Sequence, residues 1–205
     1  PVSALHGDNI VTSSAAMPWY TGSPLLMMLE TMDVSGDTAL QDLRLPVQYV
    51  NRPTSVFRGY AGTIEAGRVR TGDAIMALPS RRMSRVKSII TPCGTCDEAG
   101  AGEAVTVTLD DEIDISRGDV VVHCDRAPSL ADRFDAHLIW MTDAPLLPGK
   151  PYELKIGTRR VVATIDAIYG RIDINDLSLH TADALALNEI ALCRVVLAEP
   201  VAIDS

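Results

Sequence analysis

Apolar and polar positions change period once along the chain, dividing a short helical head from a long β-rich body. In the head, Leu25, Met28, Leu29 and Met32 recur at i, i+3, i+4 and i+7, the spacing of one helix face. Ser23 is placed to cap that helix, and Pro24 to open it, where a missing N–H costs nothing. The Met-rich stripe is expected to pack as core against a missing or adjacent domain rather than to form a partner-binding groove. Ser35-Gly36-Asp37 ends the pattern. From Leu43 the period is two: Leu43, Leu45, Val47 and Tyr49 alternate with polar or small residues. Residues 57–64, 74–78, 86–90, 104–109 and 120–123 read as further strands. Turn residues punctuate them at Asn51-Arg52-Pro53, Ala66-Gly67, Thr71-Gly72-Asp73, Ala101-Gly102 and Arg117-Gly118-Asp119. Short strands so spaced predict an antiparallel barrel, which removes sheet edges.

A second β-rich stretch follows the linker-like Ala127-Pro128-Ser129. Phe134, Ala136, Leu138 and Trp140 alternate along one strand, and Tyr152, Leu154 and Ile156 along another. Residues 161–168 and 190–197 supply two more, with a short helical turn expected within 175–187. These strands are fewer than barrel closure needs, so this part is expected to be truncated. The expected fold is mainly β: a helical head over 1–37 and two tandem antiparallel β-barrels over 38–126 and 127–205.

Composition narrows the function classes. Of 205 residues, 47% are hydrophobic and 22% charged, ordinary for a folded chain. Aromatics are only 4%, so the core must rest on Val, Ile, Leu, Ala and Met. Lys and Arg total 18 against 27 Asp and Glu, a net charge of −9 that disfavours a dedicated nucleic-acid binder. No apolar run reaches the ~18 residues of a membrane span, and no signal-peptide pattern precedes the first strand. The chain opens on Pro1 and is expected to be part of something longer. Four cysteines, Cys93, Cys96, Cys124 and Cys193, do not make a disulfide framework, so a reducing cytoplasmic setting is expected.

Candidate chemistry is sparse. Gly59, Gly62 and Gly67 lie between strands and lack the Gly-Lys-Ser/Thr ending of a phosphate loop, so they read as hairpin and close-packing positions. Cys93-Gly94-Thr95-Cys96 is a single CxxC, the one candidate metal or redox motif, with His123 and Cys124 as the remaining ligand types. Asp110-Asp111-Glu112-Ile113-Asp114 and Asp173-Ile174-Asn175-Asp176 both fail the calcium-loop register and read as solvated faces. His137 falls opposite Leu138 and Trp140, on a surface face. No Gly-x-Ser-x-Gly elbow and no carboxylate pair placed for acid–base work is present.

Particular strings carry a family resemblance. Ser3-Ala4-Leu5 within residues 2–9 resembles the last guanine-contacting motif of translation-factor-type GTPases, and Met17-Pro18-Trp19-Tyr20-Thr21-Gly22 with Leu25-Leu26 the closing helix of such a G domain. Leu45-Pro46-Val47 through Pro53 and Phe57-Arg58-Gly59-Tyr60 through Thr63 resemble the barrel that follows. Together with Ala101-Gly102-Glu103-Ala104, residues 111–119, Trp140-Met141 and residues 173–177, they are similar to the large, GTPase-bearing subunit of bacterial sulfate adenylyltransferase. The resemblance implies two elongation-factor-type barrels behind a G domain, with GTP and Mg bound by the intact parent. It implies a partner, the small catalytic subunit that binds ATP and makes adenosine 5′-phosphosulfate, and in some members a fused adenylylsulfate kinase. Ser3, Ala4 and Leu5 are then the remnant of the guanine site, expected to hold no GTP alone. Neither nucleic acid nor membrane is an expected partner. The alternative from the same fold is a tRNA-binding barrel pair of a translation factor.

Overall fold

A computed structural model describes residues 1–32, 42–54, 57–174 and 176–204. The predicted breaker Ser35-Gly36-Asp37, the first boundary at 37/38 and Asn175 lie outside the described residues. The chain divides into two compact units, residues 1–38 and 39–205.

In the first unit a tight turn leads to a short helix, α1 (Leu25–Thr31). Asn9 organises it. Its side chain is 2% exposed, donates from Nδ2 to Pro1 O at 3.1 Å and accepts from Ser14 N at 2.8 Å. Its carbonyl accepts from Leu25 N at 2.9 Å, so one residue ties the turn to the helix start. Pro24, not Ser23, is the N-cap, and no side chain caps the helix. The Ser23 carbonyl is occupied instead by the Tyr20 hydroxyl at 3.1 Å. None of the α1 residues is buried, and the stripe of Met28, Leu29 and Met32 stands 42%, 59% and 54% exposed.

The second unit is antiparallel β throughout. Its strands are β1 (Leu45–Pro46), β2 (Tyr49–Thr54), β3 (Phe57–Thr63), β4 (Arg68–Arg70), β5 (Ala74–Leu78), β6 (Arg82–Thr91), β7 (Gly94–Cys96), β8 (Glu98–Gly100), β9 (Ala104–Leu109), β10 (Val120–His123), β11 (Ser129–Ile139), β12 (Pro151–Ile156), β13 (Arg159–Ile172), β14 (Leu179–His180) and β15 (Ile190–Ile203). The first sheet runs β1-β10-β5-β6-β9-β3-β2, with β7 on β6, and β4 pairs with β8 as a separate ribbon. Its order begins and ends on one stretch of chain: Leu45 pairs with Val121 on one side and Tyr49 with Ala61 on the other. Leu43, Leu45, Val47, Ile64, Ile75 and Ile89 are essentially inaccessible and make its core. Gly62 belongs to that packing, since a Cβ there would sit 2.3 Å from the Pro46 carbonyl oxygen.

The second sheet runs β11-β15-β13-β12, with β14 on β13. Val161, Ile165, Leu185, Ala191, Cys193 and Val195 fill its core. Bulges at Ala131/Arg133 and on β13 bend its long strands.

Three expectations are corrected. Asn51-Arg52-Pro53 is strand, not turn: β2 runs through it with an irregularity between Asn51 and Thr54, an edge position where Pro is tolerated. Of the expected helical turn within 175–187, the described residues 176–187 instead contribute β14 and a bridge from Leu185 to Leu146, because the paired backbone satisfies itself across β13. The acidic run after β9 alternates as expected, with Ile113 and Ile115 buried between exposed carboxylates, but it is irregular chain rather than a strand end. No helix among the described residues is long and apolar enough to cross a membrane.

Candidate functional site

The guanine-motif residues form a turn. Ser3 N donates to Asp8 O at 3.0 Å and Gly7 N to Ser3 O at 2.8 Å, with Gly7 at φ +75°. Ala4 and Leu5 sit at the exposed tip, Leu5 88% exposed. Cys93 lies exposed in the β6–β7 hairpin turn, while Cys96 packs partly buried against the first core. The structure therefore sends the two cysteines to different environments, and neither joins a group of three ligating side chains among the described residues. One such group exists there: Asp173, Asp176 and His180, whose ligand atoms lie within 4.8 Å of one another. Ser178 occupies its middle, donating to Asp176 Oδ1 at 2.6 Å and 2.9 Å from His180 Nε2. The Ser178 hydroxyl and amide hold the Asp176 carboxyl below the usual range. Burial pushes the Cys124 and Cys193 thiols up, away from the thiolate that redox or metal chemistry needs.

The densest set of long-range polar contacts is where the two sheets meet. Arg44, just before β1, is placed by its bridge to Ala66. Its guanidinium donates to Leu43 O at 2.8 Å and Arg126 O at 3.2 Å. From Nε it also donates to Asp204 Oδ2 at 2.9 Å, with Nη2 on Oδ1 completing a bidentate pair. That pairing holds the Asp204 carboxyl below its ordinary range. On the other flank the β12–β13 turn reaches the first sheet, and Thr158 donates from Oγ1 to Val47 O at 3.0 Å. Gly157 takes φ +52° in this turn, the left-handed backbone that favours glycine, and it lies in van der Waals range of Pro46. Arg159 stands between Glu199, at 2.6 Å, and Asp119, at 3.8 Å. Burial pushes the Asp119 carboxyl up, opposed by the Ser116 amide and by Arg159.

Between these flanks, Met76, Leu78 and Val122 of the first sheet pack with Leu130 and Ala202 of the second. A cleft of about 290 Å³ remains, lined by Arg44, Pro46, Leu78, Gly157, Ile203 and Asp204 among others. The described junction pairs no nucleophile with a base. It fastens one sheet to the other through Arg44 on Asp204, Thr158 on Val47 and Arg159 on Asp119. None of Arg44, Thr158, Arg159 or Asp204 carried a signal in the sequence, since Arg44 and Asp204 are 160 residues apart.

Comparisons with known proteins agree with the fold and sharpen it. Residues 133–205 match the GTP-eEF1A C-terminal domain-like family. Over the whole chain, identity is 54% to sulfate adenylyltransferase subunit 1 of Chromobacterium violaceum, 48% to that of Aliivibrio salmonicida and 47% to that of Laribacter hongkongensis. The chain is thus similar along its whole length to sulfate adenylyltransferase subunit 1. It spans 43% of the length of each of these subunit 1 relatives. Among solved structures, sup35 complexed with GMPPNP matches with a TM-score of 0.73 at 20% identity, over 100% of this chain and 51% of that one. Elongation factor SelB from Methanococcus maripaludis, in its apo form, matches at 0.67 and 21%, over 88% of this chain and 40% of that one. At such identities these two share the fold. The subunit 1 relatives, at roughly half the residues identical along the full chain, are what the sequence resemblance anticipated.

Proposed function

We propose that the chain is the two-barrel portion of the GTP-dependent sulfate adenylyltransferase large subunit. In that assembly a sulfate oxygen attacks the α-phosphorus of ATP, pyrophosphate leaves, and adenosine 5′-phosphosulfate forms on the small subunit. GTP hydrolysis with Mg, in a G domain of the large subunit, drives the unfavourable reaction in the cytoplasm. The observation that carries this reading is the 54% identity to a subunit 1 protein along the whole chain. The junction supports a role in transduction: Arg44 on Asp204, Thr158 on Val47 and Arg159 on Asp119 join the sheets so that they move as one body when the nucleotide changes.

The test is reconstitution of the complete large subunit with its small subunit, reading sulfate-dependent pyrophosphate release with and without GTP. Stimulation by GTP is expected, and its absence overturns the reading. Residues 1–205 alone are expected to bind no fluorescent GTP analogue at micromolar concentration, because Ser3, Ala4 and Leu5 form only an exposed turn.

A further inference from the structure

The β5–β6 hairpin departs from the rest of this acidic chain. Arg81, Arg82, Arg85 and Lys87 fall within seven residues and are all exposed. Among the described residues none of the four lies within 4 Å of a carboxylate, whereas Arg68 and Arg70 share Glu98, Arg159 meets Glu199 and Arg194 meets Asp135. Arg81 sits in the turn, anchored by its amide on Ala77 O at 2.7 Å, so its side chain is free of structural duty. Arg85 is braced by a hydrogen bond to Gly72 O at 3.0 Å. Met83, 60% exposed, shares the outward face of β6 with Arg85 and with its cross-strand partner Met76, while Arg82 falls on the opposite face with Ser84. Met76 in turn packs against the second sheet, so the patch borders the junction. Lys87 lies beyond it, in a separate depression with Asp110, Asp111 and Glu112.

An unpaired cationic cluster in a chain of net charge −9 is a local exception that the fold does not require. Its composition identifies the partner. Arg and Met are the residue types enriched in protein–protein interfaces, with an apolar centre inside a charged rim. Single-stranded nucleic acid would be met by aromatic platforms, and residues 79–87 contain no aromatic. We propose that the β5–β6 hairpin, through Met83 and Arg85 on its outward face and Arg81 in its turn, docks an acidic polypeptide surface carried by the small subunit. This rests on the function proposed above, which supplies the small subunit as the second chain.

The experiment measures affinity between the complete large subunit and the small subunit by titration calorimetry at low and high salt. Two double variants are compared, R81E/R85E in the hairpin and K150E/K155E just before and within β12, which change the net charge equally. Thermal melts confirm that both fold. The hairpin variant is expected to bind roughly 10-fold more weakly at low salt and to lose most of the salt dependence, with the control within about twofold of wild type. Equal affinity for the hairpin variant and wild type overturns the inference, as does equal weakening by the control. So does a hairpin variant that binds the small subunit normally but loses gel-shift binding to a single-stranded RNA that the wild type binds. If the wild-type subunits fail to associate at all, the function itself falls; if they associate and the variant matches wild type, only the hairpin assignment does.

Discussion

The two sheets of the second unit solve the same problem differently. The first begins and ends its pairing on residues 45–54, buries Leu45, Val47, Ile75 and Ile89 almost completely, and turns its charges outward. The second leaves β11 and β12 as edges and keeps Ile139, Ile174, Leu177 and Leu179 between 59% and 76% exposed. A sheet whose ends meet stabilises itself, whereas an open one depends more on what it touches. For the second sheet, part of that support is the junction: Thr158, Arg159, Leu130, Ala202 and Asp204 all belong to it.

The largest expected effect lies in the first core. Ile89→Ala should lower unfolding free energy by about 2–5 kcal/mol in urea, because the surrounding strands cannot collapse into the cavity. A loss under ~1 kcal/mol would show that the first sheet is no tighter than the second.

Arg159→Ala should come next, at roughly 1–3 kcal/mol, by leaving the part-buried Asp119 without its guanidinium. Its pH dependence has a definite sign. The folded Asp119 carboxyl is raised by burial, so it keeps its proton at higher pH than in the unfolded chain. The penalty is present at neutral pH and is relieved as pH falls through the folded pKa. Removing Arg159 enlarges that penalty, so the variant's deficit should shrink on acidification; a deficit that grows with acid would contradict the assignment.

Asp204→Asn should cost less, under about 1 kcal/mol, since this carboxylate is largely exposed. Here the folded carboxyl is lowered by Arg44, so its contribution is present above the unfolded pKa and lost as pH falls through the folded one. Melts of wild type and variant should converge in acid. Smallest of all, Leu177→Ser at 76% exposure should leave stability within about 0.5 kcal/mol, while a larger loss would mean that this end of the second sheet is already packed.

Legibility in the sequence followed the same divide. Residues 74–78, 104–109 and 120–123 were readable as strands because they are short, largely apolar runs flanked by turn residues. Strand β6 begins at Arg82, four residues before its apolar signal at 86–90, because cross-strand pairing with Ala77 and Met76 needs backbone and not apolar side chains. Asn51-Arg52-Pro53 read as a turn because local turn propensity carries no information about an edge. The family was legible in short strings, down to Ser3-Ala4-Leu5 and residues 45–53. The junction was not, since its ion pairs and hydrogen bonds join residues more than forty positions apart or in different sheets. The same holds for the hairpin patch: Arg81, Arg82 and Arg85 are plain in sequence, but their lack of carboxylate partners is a property of the fold.

Under the proposed function, the joined sheets carry the nucleotide state of the large subunit to the small one. This coupling is tested most directly by measuring GTP-stimulated, sulfate-dependent pyrophosphate release for Arg159→Ala in the complete two-subunit assembly, with GTP hydrolysis followed in the same reaction. The account predicts that hydrolysis continues while its stimulation of pyrophosphate release falls severalfold. Full stimulation, in a variant whose melt shows the junction weakened, would contradict it.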